Sequence, residues 1–250
     1  MAKTVLITGA GSGFGKLAAI SLQARGHHVI ASTETDAQAA ALSAEVPELE
    51  VIRIDITTAD VERAAGYDLD VLINNAGAGQ TGPIADVPID RVRRLFDVNV
   101  FGTMAITQQV VPKMVAKGSG RIIIMSSIAG VLAAATFGPY SMTKFALEAM
   151  GKAMRGELAA LGVDVTLINP GPYQTGFNDT MAASMWEWFS DQSVNAGATE
   201  LFQAVGQMVT ANQADPQEVA DKLVELVEAE TTTENNFVPA ELAAFIGGAS

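Results

Sequence analysis

Thr4-Val-Leu-Ile-Thr8-Gly-Ala-Gly-Ser-Gly-Phe-Gly15 decides how this chain folds. The run Thr4–Thr8 reads as a short buried strand, and Gly13–Ala24 carries the spacing of a helix. The glycines between them let the chain turn tightly and bring bare backbone close to a ligand. A pyrophosphate is the ligand such a turn suits, because it meets the positive end of the following helix. Glu34 stands 19 residues beyond Gly15, near the end of the next strand pattern. A ribose hydroxyl would find its acceptor there. Gly9, Gly11, Ser12, Gly13, Phe14, Gly15, Thr33 and Glu34 are therefore candidate dinucleotide contacts. The same turn without a ligand is the plainer alternative.

The pattern repeats outward. Further strands are expected at His28–Ser32, Val51–Ile54, Val71–Asn74, Arg121–Ser126 and Val163–Asn169. Helical spacing fills the gaps at Ala37–Val46, near Ala59–Ala65, over a broken Asp90–Lys117, and at Tyr140–Leu161. Apolar strands alternating with helices predict an α/β fold, a doubly wound and mostly parallel sheet flanked by helices. No repeat or linker divides residues 1–250, so a single domain is expected.

Composition excludes several functions. The chain has 250 residues, no cysteine and two adjacent histidines, His27 and His28, so no metal site is expected. Its net charge of −13 leaves no basic surface for phosphates, and no nucleic-acid partner is expected. Met1-Ala-Lys leads directly into the first strand pattern, and no apolar run approaches the roughly 20 residues of a membrane span. A cytoplasmic protein without signal peptide or membrane contact is the expectation.

Strand ends carry the remaining polar motifs. Asp55-Ile56 follows the third strand; the carboxylate could accept from an adenine amino group or simply hold a turn. Asn74-Asn75-Ala76-Gly77 ends the fourth strand, where small residues let a cofactor lie against backbone. Ser127 ends the fifth, and Pro139 can open a helix. Tyr140 and Lys144, four apart, share one face of that helix. A phenol titrates at about 10 in water. A neighbouring ammonium favours the phenolate, which lets Tyr140 exchange a proton with an alcohol or carbonyl. Ser127 could hold the same oxygen. The pair taken alone could equally be a solvated helix pair.

Together these pieces resemble the short-chain dehydrogenase/reductase family, in its short form, over about residues 3 to 175. They are Thr8-Gly-x-x-x-Gly-x-Gly15, Asp55, Asn74-Asn-Ala-Gly77, Asn99 beside Val98, Ser127 standing 13 residues before Tyr140, Tyr140-x-x-x-Lys144, and Asn169-Pro-Gly171. The resemblance implies a nicotinamide-dependent oxidoreductase that interconverts a secondary alcohol and a ketone or aldehyde. It implies Tyr140 as acid/base and Ser127 as substrate anchor. Lys144 would lower the tyrosine pKa and hold the nicotinamide ribose, and Asn99 would hold the backbone and a water that complete a proton relay. Pro170, Gly171 and Thr175 would meet the carboxamide, and Tyr173 replaces the aliphatic residue that usually covers the nicotinamide. NAD is expected over NADP, because no Lys or Arg stands between Arg25 and Arg53. A homodimer or homotetramer through helices at 100–117 and 140–161 is also implied.

Departures from the family pattern are Phe14, Tyr173 and an Asn235-Asn-Phe-Val ending that weakens the case for a C-terminal strand. Residues 176–212 read as a substrate lid. Phe137, Met185 and Trp186 are the candidate substrate contacts, suggesting a small molecule with an apolar or aromatic body. The last helix should open at Asp215-Pro-Gln-Glu218. Two rivals use the same scaffold. A cofactor-independent dehalogenase or lyase would lack the glycine turn, and a non-enzymatic dinucleotide sensor would lack Ser127, Tyr140 and Lys144.

Overall fold

The computed structural model describes residues 1–247. Seven strands form one parallel sheet: β1 (Thr4–Ile7), β2 (His28–Thr33), β3 (Glu50–Arg53), β4 (Val71–Asn74), β5 (Gly120–Met125), β6 (Val163–Pro170) and β7 (Asn235–Val238). Their order is β3-β2-β1-β4-β5-β6-β7. The chain builds outward from β1 on one side, then returns to build outward from β4 on the other. The crevice between the carboxyl ends of β1 and β4 is therefore the switch point where open α/β sheets bind ligands.

Alternation along the strands feeds two cores. Val5, Ile7, Val29, Val71 and Ile73 face α1 (Gly13–Ala24) and α8 (Gln217–Glu228), through Ala18, Leu22, Leu223 and Val227. Leu6, Ile30, Leu72, Ile122 and Ile124 face the opposite way. They meet Ile106, Val110 and Met114 of α4 (Thr103–Lys117) and Leu147 of α5 (Gly138–Leu158). Apolar burial on both faces is what a parallel sheet requires.

The expected helix over 90–117 is one rod with a change of winding. It runs through α3 (Ile89–Phe96), a π-helical segment Asp97–Gly102, and α4. Its apparent break is that segment. The helix near Ala59–Ala65 is a 3₁₀ turn over Ala59–Gly66, and α2 (Asp36–Glu45) starts at a capping box between Thr35 and Gln38.

The C-terminal strand, doubted from sequence, is present. β7 pairs with β6 from Leu167↔Asn235 to Pro170↔Val238. Only one of its two inner positions, Val238, is apolar; at the other, Asn236 Nδ2 donates to Thr166 Oγ1 at 2.8 Å and to Leu167 O at 3.0 Å. An edge strand fastened by amides shows no apolar run, so hydropathy misses it.

Candidate active site

Every expected motif lies at the carboxyl edge of the sheet. The ends of β1 and β4 are tied across the switch point by Thr8, whose Oγ1 accepts from Asn75 N and Ala76 N, both at 3.0 Å. Asn75 Nδ2 in turn donates to Thr8 O at 2.9 Å and Gly9 O at 3.1 Å. Gly9 has φ +66°, and a Cβ there would stand 2.7 Å from Ala76 Cα, so the approach of these two turns requires glycine.

A cavity of about 1040 Å³ follows this edge. Gly9, Gly11, Ser12, Gly13, Phe14 and Glu34 line one end. Asp55, Ile56, Asn75, Ala76, Gly77 and Val98 line the middle. Ser127, Phe137, Tyr140 and Lys144 stand at the other end, opposite Pro170, Gly171, Tyr173 and Thr175. The first turn of α1 suits an anion: Ser12 caps it with extended backbone only, and no acidic residue follows. A glycine turn, an uncapped helix start and a carboxylate at the end of β2 fit the pyrophosphate and ribose of a nicotinamide dinucleotide. Among the described residues no group of acidic or histidine side chains could hold a metal ion.

Two expected contacts are placed elsewhere. Gly15 is buried behind the turn; a Cβ on it would overlap the Asn75 amide and come within 2.7 Å of Gly9 O. It is glycine for packing and does not line the cavity. Thr33 is fully buried, and its Oγ1 donates to Thr35 O at 3.2 Å, turned into the β2–α2 corner. Gln38 and Arg94 line the cavity and were not expected. The Gln38 side-chain oxygen accepts from Glu34 N at 3.1 Å and Thr35 N at 3.2 Å, which shapes the Glu34 corner. Asp55 holds a turn and also faces the cavity. It lines the cavity, and its Oδ1 accepts from Thr57 Oγ1 at 2.7 Å and Thr57 N at 2.9 Å. The Thr57 hydroxyl, foremost, holds that carboxyl below its ordinary range.

Ser127, Tyr140 and Lys144 converge at the far end. Ser127 caps the short turn Ile128–Gly130, accepting from Ala129 N at 3.1 Å, with its Oγ 3.5 Å from Pro170 O. Tyr140 is 7% exposed and packs beside Phe137 and Met181, its ring 5.8 Å from that of Phe177. Burial pushes its phenol well above the ordinary value, and the Ser127 hydroxyl pulls the other way. Lys144 is buried too, with Nζ 5.5 Å from the Tyr140 ring centre and donating to Met125 O at 2.8 Å. Burial pushes it down to about 8, and Glu148 opposes the fall. Desolvation therefore outweighs the expected downward pull of Lys144 on Tyr140.

Asn99 sits in the π segment, almost wholly buried and outside the cavity lining. Its Oδ1 accepts from Ala78 N at 2.7 Å, and its Nδ2 donates to Ala78 O at 2.9 Å and Thr143 Oγ1 at 3.0 Å. Thr143 then donates to Tyr140 O at 2.8 Å. Asn99 thus clamps the loop after β4 to the first turns of α5. Thr143, inside the Tyr-x-x-x-Lys spacing, is a link that the motif alone does not reveal.

The region expected to be a lid comprises α6 (Phe177–Ser184), a 3₁₀ turn Met185–Glu187 and α7 (Thr199–Ala211). Met181, Val205, Met208 and Val209 line the cavity, whereas Met185 and Trp186 do not. Met185 is 2% exposed and points into packing; Trp186 is on the surface, edge-on to Phe189 at 5.8 Å. Helical spacing selected Met185 and Trp186, but α6 gives way to a tighter turn at Met185, and neither side chain lines the cavity. A buried latch holds α6 to the loop after β4. Thr81 Oγ1 donates to Met181 O at 2.8 Å, and Thr81 N donates to Ser184 Oγ at 3.0 Å. Tyr173, completely buried, donates to Glu218 Oε2 at 2.8 Å and meets Phe14 edge-on at 5.6 Å.

Residues 3–186 match the family described as short chain dehydrogenase, and the chain belongs to that family of oxidoreductases, which use NAD(P). It is 33% identical over 238 residues to the uncharacterized oxidoreductase YusZ of Bacillus subtilis, spanning 90% of this chain and 84% of that protein. It is 35% identical over 184 residues to an NADPH-dependent 3-dehydrocapnine reductase of Ornithobacterium rhinotracheale, spanning 68% of this chain and 65% of the relative. The crystal structure of a short-chain dehydrogenase from Streptomyces avermitilis superimposes with a TM-score of 0.83 at 29% identity, covering 100% of this chain and 92% of that one. No helix among the described residues is long and apolar enough to cross a membrane.

Proposed function

We propose that this protein interconverts a secondary alcohol and a ketone or aldehyde with a nicotinamide cofactor, with Tyr140 as acid/base. The observation that carries this reading is the meeting of Ser127, Tyr140 and Lys144 in the same cavity as the Gly9–Phe14 turn. A cofactor bound there supplies or accepts the hydride. Ser127 Oγ donates a hydrogen bond to the substrate oxygen, and the Tyr140 hydroxyl gives that oxygen its proton or takes it away. Lys144 holds ribose hydroxyls and places a positive charge beside the phenol; Asn99, through Ala78 and Thr143, fixes the loop after β4 against the helix that carries both. Titrating the protein with NADH and NADPH by fluorescence, then assaying a panel of ketones and alcohols, tests this. Tight cofactor binding with no turnover of any carbonyl or alcohol would sink it.

NAD(H) is proposed over NADP(H). Glu34 lines the cavity at the end of β2, where a 2′-phosphate would meet its carboxylate. Arg53, whose side chain reaches the Glu34 backbone, is occupied: Nε donates to Glu34 O at 3.3 Å and the guanidinium pairs with Asp60 at 3.1 Å. Arg94 lines the cavity on the side of Asp55. The named NADPH-dependent relative stands against this preference. We expect kcat/KM with NADH to exceed that with NADPH by more than the tenfold that ~1.4 kcal/mol represents. Glu34→Arg should move the ratio toward NADPH. A wild type more efficient with NADPH on the same substrate would overturn the assignment.

The substrate is proposed to be a small molecule with an apolar body. Leu132, Phe137, Phe177, Met181, Val205 and Val209 surround that end of the cavity, and among the described residues the only charged side chain lining it there is Lys144. Met181→Ala is expected to raise KM several-fold for bulky apolar substrates and leave the cofactor KM alone. Met185→Ala should instead cost roughly 2–5 kcal/mol of stability without changing substrate preference. Paired kinetics and thermal melts check both, and the opposite pattern would return Met185 to the substrate. Exposed Phe101, Met104, Met142 and Phe145 along the π segment, α4 and α5 support the proposed homodimer or homotetramer.

A further inference from the structure

One turn past Lys144, α5 encloses a carboxyl group that the reaction above does not use. Glu148 is 4% exposed. Its Oε1 accepts from Ser126 Oγ and from Asn169 Nδ2, both at 2.6 Å, and its Oε2 accepts from Asn235 Nδ2 at 2.7 Å. Asn235 Nδ2 also lies 3.1 Å from Asn169 Oδ1. These partners stand just past the end of β5, near the end of β6 and at the start of β7. Ser126 immediately precedes Ser127, and Asn169 immediately precedes Pro170. Asn169 Nδ2 lies 3.4 Å from Ser127 O as well. Helix α5 therefore grips the end of β5 twice, through Lys144 on Met125 O and through Glu148 on Ser126. An apolar side chain would fill this helix–sheet contact without any desolvation cost, so a carboxyl here asks for a reason.

We propose that Glu148 is a positioning residue of the active site: it joins α5 to the ends of β5 and β6 and so fixes Ser127 and the Pro170-Gly171 turn relative to Tyr140 and Lys144. This rests on the alcohol–carbonyl reading above. Its charge has a second effect, because Glu148 works against the burial that pushes Lys144 down. The other charged groups nearby are few. Lys152, on α5 and half-exposed, is 3.7 Å from Glu148 Oε2, and Glu234, just before β7, is 3.8 Å from Lys152. β5 and β6 present neutral Ser126 and Asn169, and the turn Ile128–Gly130 carries no charge. Removing the Glu148 charge lowers Lys144 further, so the ammonium is lost at lower pH.

The test compares Glu148→Gln and Ser126→Ala with the wild type in kcat, both KM values, NADH affinity by fluorescence across pH, and melting temperature. For Glu148→Gln we expect kcat at least about tenfold lower with a smaller change in carbonyl KM. The alkaline loss of NADH affinity should move to lower pH by about half a unit or more. Ser126→Ala should lower kcat several-fold and leave the alkaline limb in place. A Glu148→Gln enzyme with kcat within about twofold of wild type and the same alkaline limb overturns the proposal, even if it melts earlier. If that variant does not fold, Ser126→Ala decides, and wild-type kcat there is the overturning result. A wild type that binds NADH but turns over no carbonyl refutes the proposed reaction, whereas the pH shift of NADH affinity still reports on Glu148.

Discussion

Tyr140→Phe is expected to lower turnover by at least the ~10²-fold typical of a lost general acid, with cofactor affinity nearly intact. The substitution deletes one oxygen and keeps the ring. That ring packs with Phe137, Met181 and Phe177, so the variant retains its contacts and should fold normally. Burial holds the Tyr140 phenol protonated across the neutral range, which suits a group that must deliver a proton to a carbonyl oxygen. In the direction of alcohol oxidation the same burial is a cost, met by the positive charge of Lys144 and by whatever cationic cofactor ring binds beside it. Single-turnover kinetics with saturating cofactor measure the loss. Turnover near wild type would remove Tyr140 from the chemistry.

Lys144→Met should damage two quantities together. Losing a charge-assisted hydrogen bond of roughly 1.5–3 kcal/mol weakens cofactor binding by about 10- to 100-fold. Turnover should fall by a further ~10²-fold, because Tyr140 loses its neighbouring charge. The wild type carries a pH signature of the same role. Lys144 is pushed down to about 8, so its ammonium is present below that pH and is lost as pH rises through it. Cofactor affinity and kcat/KM are therefore expected to decline above about pH 8 in the wild type and to lose that limb in Lys144→Met. A variant with unchanged cofactor affinity would show that Nζ serves only Met125 O.

Local chemistry made much of this site legible. The glycine turn, the strand ends and the Tyr140–Lys144 pair are each set by a few adjacent residues, and helix α1 spans Gly13–Ala24 as its periodicity predicts. What stayed hidden depends on segments far apart in the chain. Glu148 reads as an ordinary helix acid until Asn235, 87 residues away, is placed against it. Thr81 and Ser184, 103 residues apart, meet only because α6 folds back onto the loop after β4. Gly15 and Thr33 match motif positions, yet backbone packing turns both away from the cavity. Strand β7 escaped because it opens with two asparagines, and the amide of Asn236 does much of the fastening.

The π segment Asp97–Gly102 has a consequence for helical phase. A wider turn inserts surplus rotation between α3 and α4, so their apolar stripes are set independently although the backbone never leaves the helix. Val92 and Leu95 are buried on α3, and Ile106, Val110 and Met114 are buried on α4. The phase slip between those two groups falls at Asn99, whose amide reaches sideways to Ala78 and Thr143. The rod thus works as a vernier: one half is indexed to α5, the other to the sheet, and the offset between the two scales points Asn99 at the backbone it holds.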